Sequence, residues 1–132
     1  MPRTVSKPTD PTSRTSRARL AIMVMRLFEI WKLSAQEQIS LLGLSAGGRN
    51  TLYRYRNGGP LAKRRDLLER VGHLLGMHKT LHLTFPHDLD LAYRWMTVPN
   101  RSLGARPVDL IAERGFEGLL TVRRYLELEC GR

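Results

Sequence analysis

The chain has 132 residues, 42% of them hydrophobic, and a formal net charge of +10, which allows one packed domain or two small ones sharing a core. A single cysteine, Cys130, excludes an internal disulfide and any multi-cysteine zinc site, and fits a reducing cytoplasm. The apolar run Leu20–Met25 is stopped by Arg26, so it is too short for the ~20 residues of a membrane span, and no small-residue cleavage site follows it.

In chain order, residues 1–18 read as a disordered basic arm rich in Arg, Ser and Thr. Pro2, Pro8 and Pro11 oppose the amphipathic helix that a mitochondrial presequence needs. An arm with Arg14, Arg17 and Arg19 is suited either to a DNA minor groove or to a mobile solubilising tail. Order is expected to begin near Arg19, where Leu20, Met23, Val24, Leu27, Phe28 and Trp31 recur at helical spacing. Ser34-Ala-Gln-Glu37 spells a capping box for a short helix over about 35–42, closed by Gly43. Ser45 is the expected N-cap of a third helix over about 46–57, weakened at its start by Gly47 and Gly48 and stopped by Asn57-Gly58-Gly59-Pro60. A fourth helix runs from about Ala62 through Leu67, Leu68, Val71, Leu74 and Leu75, continues past Leu81, Leu83 and Phe85, and ends at Pro86. Asp88 caps a helix over about 89–97 that Pro99-Asn100 terminates. Pro107 opens a short helix ending at Gly115, and a last one spans about 118–130. With no strand-like alternation of useful length, the fold class is all-α.

The charge is unevenly placed. Residues 1–20 carry five Lys/Arg against one Asp, and residues 45–70 carry seven against two. Residues 21–44 balance at two and two, and residues 71–132 hold eight against seven. A basic excess gathered at a short capped helix, a glycine-containing turn and an Arg-rich third helix is the footprint of a helix-turn-helix on DNA. The DNA-binding candidates are Arg49, Asn50, Thr51, Tyr53, Arg54 and Arg56 on the third helix, with Leu52 and Tyr55 facing the core. Lys63, Arg64 and Arg65 join them, because three cations at a helix start oppose its dipole and are better placed against phosphate. Arg can pair bidentately with guanine and Asn with adenine, while Thr and Tyr hydroxyls reach phosphate. An ordinary solvated basic face is the plainer alternative.

The second half carries more specific signals. Leu75-Gly-Met-His-Lys79, Leu83-Thr-Phe-Pro86, Ala92-Tyr-Arg-Trp95, Pro99-Asn100 with Leu103-Gly104, and Gly118-Leu-Leu-Thr-Val-Arg-Arg-Tyr-Leu126 occur in that order. Together with Thr51-Leu-Tyr-Arg-Tyr55, these fragments resemble the Xre/MbcA/ParS-type antitoxin family over about residues 49–132. The resemblance implies an Xre-like helix-turn-helix domain over 19–78 and a small helical toxin-binding and dimerisation domain over 79–132. It further implies a cytoplasmic type II antitoxin that dimerises, binds its own operator DNA and neutralises a co-encoded toxin, usually a RES-domain, NAD-consuming one. Catalysis would belong to the toxin, leaving this chain with no cofactor, no metal and no enzymatic activity. Arg123, Arg124 and Glu127 on the last helix, with Arg132 at the end, are the toxin-binding candidates, and residues 123–132 are suited to obstruct a toxin's active-site entrance. The competing pattern for Arg123 and Glu127 is a solvent-exposed i, i+4 pair. The runner-up function is a stand-alone transcriptional regulator whose C-terminal domain only dimerises.

Catalytic patterns are weak. His78 and His82 stand four apart with His87, Asp88 and Asp90 downstream, a spacing able to hold zinc, but the metalloprotease Glu and any Cys cluster are missing. Ser34 and Ser45 are explained as helix caps rather than nucleophiles. Trp31, Tyr93 and Trp95 suit a core or an interface.

Overall fold

The computed structural model describes residue 10 and residues 12–130. Among them it contains six α-helices and one 3-10 turn: α1 (Arg14–Ile30), α2 (Ala35–Leu42), α3 (Arg49–Arg56), α4 (Arg65–Thr84), α5 (Leu89–Arg94), the turn Trp95–Thr97, and α6 (Pro107–Cys130). The sole β feature among the described residues is an isolated bridge between Asn100 and Ala105. The all-α expectation holds.

Helix α1 begins at Arg14 rather than near Arg19, because the Ser13 side chain accepts the Ser16 N–H and caps it. Arg14, Arg17 and Arg19 therefore sit on a helix, not on an arm, and most of the expected arm lies outside the described residues. Arg17 is committed internally: its Nη1 donates to the Leu61 carbonyl at 2.8 Å. On α1, Val24, Leu27, Phe28 and Trp31 are buried as expected, while Met23 is exposed and Ala21 and Met25 take the inward positions. The stripe is thus set by tertiary neighbours as well as by spacing.

Helix α2 starts as its sequence predicts. The Ser34 Oγ accepts the Glu37 N–H at 3.1 Å and the Ser34 N–H donates to Glu37 Oε1 at 2.9 Å. Gly43 ends the helix in the left-handed region at φ 67°. Helix α3 starts three residues later than expected, with Gly48 and not Ser45 at its N-cap. Packing explains the shift. A Cβ on Gly48 would stand 3.1 Å from both Ile39 Cγ1 and Leu44 Cβ, so the turn is drawn tightly against α2.

Helix α4 likewise begins at Arg65 rather than Ala62, and it runs unbroken through residues 78 and 79, the expected domain boundary. Helix α5 is capped by Asp88, whose Oδ1 accepts the Leu91 N–H at 3.1 Å, and tightens into the 3-10 turn. The two expected C-terminal helices are both found, as the limbs of α6 on either side of a kink at Gly115, whose backbone alone leaves helical geometry (φ 65°, ψ −141°). Buried side chains from all parts of the chain, from Ala21 to Leu126, join a single hydrophobic cluster.

Candidate nucleic-acid interface and partner-binding region

Helix α3 is seated by two buried anchors, Leu52 and Tyr55. The Tyr55 hydroxyl oxygen also accepts the Ala62 N–H at 3.3 Å, tying the linker back onto the helix. With those positions turned inward, Arg49, Asn50, Tyr53, Arg54 and Arg56 are exposed, and Thr51 is half-buried. Arg54 donates from Nη2 to Thr51 Oγ1 at 3.1 Å. Lys63, Arg64 and Arg65 are exposed as well, Lys63 and Arg65 lining a separate cleft with Thr12 and Leu68. An open cleft of about 490 Å³ lies between the α2–α3 turn and the start of α4, lined by Ser45, Thr51, Arg54 and Arg64 among others.

The dipole conflict expected at the start of α4 is eased by the sequence itself. Asp66 occupies the first turn, and the Arg64 guanidinium donates to it at 2.8 Å and 3.3 Å. That hydrogen bond lowers the Asp66 pKa and raises that of Arg64. Arg65 pairs with Glu69 at 3.1 Å. Both pairs are on the surface, where such contacts hold weakly and exchange readily with other anions. Gly47 faces open space, whereas Gly48 is required by packing, so of the two only Gly47 is open to a close approach from outside.

Two arginines join the basic surface to the rest of the molecule, and sequence reasoning missed both. Arg106 donates from Nη2 to Glu37 Oε2 at 2.8 Å and from Nε to Asp109 Oδ2 at 2.8 Å. Glu37 therefore serves the capping box with one oxygen and the C-terminal half with the other. Asp109, and then Glu37, raise the Arg106 pKa above its ordinary value. Arg70 donates from Nη1 to the Leu41 carbonyl at 3.3 Å, near the C-terminus of α2, and its guanidinium lies 5.7 Å from the Phe116 ring centroid. A Cβ on Gly43 would meet Arg70 at 2.8 Å, so Gly43 serves both a left-handed φ and this close approach. Neither contact has a local sequence signal: Arg106 and Glu37 are 69 residues apart.

Of the expected toxin-binding residues, Arg123 is largely occupied within the chain. Its Nε donates to Glu127 Oε2 at 2.8 Å, and its Nη1 lies 2.9 Å from His73 Nδ1. It also covers Gly76, where a Cβ would stand 2.7 Å from Nη2. The i, i+4 pair is therefore formed, as the plainer reading has it, and Arg123 also fastens α6 to α4. Arg124 is exposed, and Arg132 lies outside the described residues. Burial, followed by the Arg123 charge, lowers the His73 pKa.

His78 and His82 have ring centroids 4.5 Å apart, and His82 stands 5.7 Å from the Tyr93 ring. The two histidines are met by an aromatic neighbour, and among the described residues no group of three or more His, Cys, Asp or Glu side chains is placed to hold a metal ion. Trp95 stacks on Tyr125 at 6.4 Å, joining the 3-10 turn to α6. No helix among the described residues is long and apolar enough to cross a membrane.

The C-terminal helices that these contacts assemble correspond to a described domain. Residues 80–127 match the antitoxin Xre/MbcA/ParS C-terminal toxin-binding domain. That match defines the class: an all-α antitoxin-type protein carrying a toxin-binding domain. The chain is also 31% identical over 125 residues to the uncharacterized protein y4oB of Sinorhizobium fredii, an alignment covering 92% of this chain and 93% of that protein. The chain belongs to the Xre/MbcA/ParS antitoxin family.

Proposed function

We propose that this chain is the antitoxin and autorepressor of a type II toxin–antitoxin module, acting in the cytoplasm as a dimer. Its C-terminal domain binds and neutralises a RES-type, NAD-consuming toxin, and the α2–α3 pair serves as a helix-turn-helix on operator DNA. The NAD chemistry lies in the toxin, so this chain needs no cofactor and performs no catalysis. The observation that carries the DNA half is the set of exposed polar and cationic side chains on α3, held outward by buried Leu52 and Tyr55. Across the cleft from it Arg64 adds to the same positive surface, and exposed Lys63 and Arg65 flank Arg64 in the chain.

Operator binding measured against salt tests this reading. If three or four cations per subunit touch phosphate, a dimer makes about 6–8 contacts, and log affinity falls with log salt at a slope of roughly −5 to −7. Replacing Arg49, Arg54 and Arg64 by alanine removes up to about six contacts per dimer and flattens that slope by roughly 5. An unchanged slope and affinity would overturn the repressor assignment. Coexpression with the toxin tests the other half: cellular NAD should fall with toxin alone and recover when this chain is present.

A further inference from the structure

We propose that the toxin is held by an apolar end-face made of Leu83, Leu89, Leu91, Val98 and Leu128, with Arg123 and Glu127 serving as internal fasteners instead of contacts. This inference rests on the antitoxin reading and locates its partner surface. Leu83 and Leu128 are the most open of these side chains, at 72% and 63% exposure. Leu89, Leu91 and Val98 are exposed at 42%, 38% and 41%. Single exposed leucines are ordinary, but several gathered at one end of a small domain mark a surface that another protein covers.

The geometry brings them together. Arg70 lies by Phe116 and Gly76 lies beneath Arg123, so α4 and the second limb of α6 run in the same direction. Leu83 is seven residues beyond Gly76 and Leu128 five beyond Arg123, which places both roughly 8–10 Å further along, at the same end of the pair. Helix α5 and the 3-10 turn pack onto this end through the His82–Tyr93 and Trp95–Tyr125 ring contacts. Within α5, the 3-10 turn and the residues just after it opens a mainly apolar groove of about 140 Å³, lined by Leu91, Arg94, Trp95, Val98, Pro99 and Asn100. Its volume suits one ring or branched aliphatic side chain, since a cavity of about 150 Å³ accepts benzene.

The occupant follows from position and charge. Leu83, Leu89, Leu91 and Val98 lie inside the region that matches the toxin-binding domain, and Leu128 is the next residue after it. The other large exposed apolar side chains, Ile22, Met23, Ile30 and Tyr53, lie outside it. Residues 71–132 are close to neutral, with eight Lys/Arg against seven Asp/Glu, so this end offers little to a polyanion. A toxin surface that presents an apolar side chain to the groove, with polar groups around it to meet Asn100 and the Arg94–Asp90 pair at the rim, has the chemistry that fits.

The test uses the full chain carrying Leu83→Asp and Leu128→Asp, coexpressed with its co-encoded toxin. Toxin capture, protection of growth, operator binding, self-association and thermal melting are all read. The expected result is a loss of toxin affinity of at least 100-fold and loss of protection, with melting and operator binding unchanged because both side chains are exposed. If melting does shift, Leu83→Ser with Leu128→Ser removes the apolar area without adding charge and is read the same way. Toxin affinity within threefold of the parent in the folded variant overturns the proposal. So does a variant that keeps the toxin but loses self-association, which assigns the face to a second copy. Failure of the parent chain itself to hold the toxin overturns the antitoxin reading, and this inference with it.

Discussion

Arg106→Met removes the contact on which the two halves of the chain converge. Its guanidinium meets Glu37 at 2.8 Å and Asp109 at 2.8 and 3.0 Å. The Asp109 contacts are local and Asp109 is 54% exposed, so they contribute a few tenths of a kcal/mol. The Glu37 contact is more sheltered, with side chains 33% and 23% exposed, and falls between a surface pair and a buried charge-assisted hydrogen bond. That places it at about 1–1.5 kcal/mol. Methionine retains most of the aliphatic packing, so the loss should be about 1.5–2 kcal/mol in all, or roughly 5–10 °C in melting temperature for a chain of this length. A double-mutant cycle with Glu37→Gln isolates the pair, because glutamine keeps an oxygen for the Ser34 N–H. A coupling of about 1 kcal/mol is expected, shrinking modestly in high salt. A coupling below about 0.3 kcal/mol would refute the claim that this bridge fastens α6 to α2.

Two further predictions follow from the same contacts. The His73 pKa is lowered from 6.5 by burial and by Arg123, with Glu69 and Glu127 pulling weakly the other way, so the unfolded chain binds the extra proton first. Stability should therefore be level above pH 6.5 and decline as the pH falls below it, and His73→Gln, which keeps an acceptor for Arg123, should flatten the decline in a urea titration run from pH 8 to 5. His78, whose pKa is also lowered, accounts for the residual slope, and an undiminished slope in the variant counts against the His73 assignment. Gly115→Ala should cost about 1–3 kcal/mol, since its φ of 65° and ψ of −141° suit glycine alone and nothing within 4 Å would clash with the added methyl. An unchanged melting temperature would mean that this residue tolerates an ordinary helical backbone.

What was legible in the sequence was what neighbouring residues decide among themselves. The Ser34–Glu37 box, the Gly43 stop, the Asp88 cap and the Pro107 start are each built from groups within a few residues, and each is found as its spacing predicts. The inward positions of Leu52 and Tyr55 follow from their separation by three on a helix. The errors fall where distant chain segments decide. Ser45 has the chemistry of a cap, yet Gly48 is drawn against Ile39 and Leu44 and the helix begins there. Met23 keeps helical phase with the core but meets solvent, because what covers α1 comes from elsewhere in the chain. Arg17 looks like a free cation until Leu61 is brought beside it. Arg123 faces outward on the pattern of its own helix, but α4 supplies the His73 that turns it into a fastener.

Helix α4 is the element that gives these observations a common geometry. At one end its N-cap Arg64 borders the basic cleft, and at the other Leu83 is exposed. Its 20 residues span about 30 Å, nearly four Debye lengths at physiological salt. A phosphate held at the first end and a partner protein's charge at the second would therefore not sense each other directly. Coupling between the two binding events has to travel through packing instead. Arg106–Glu37 and Arg70–Leu41 are direct hydrogen-bonded links from α2 to the elements that follow α3. A shift of α6 on partner binding would thus reach the basic surface proposed for DNA first through the capping box of α2, where a single carboxylate is shared.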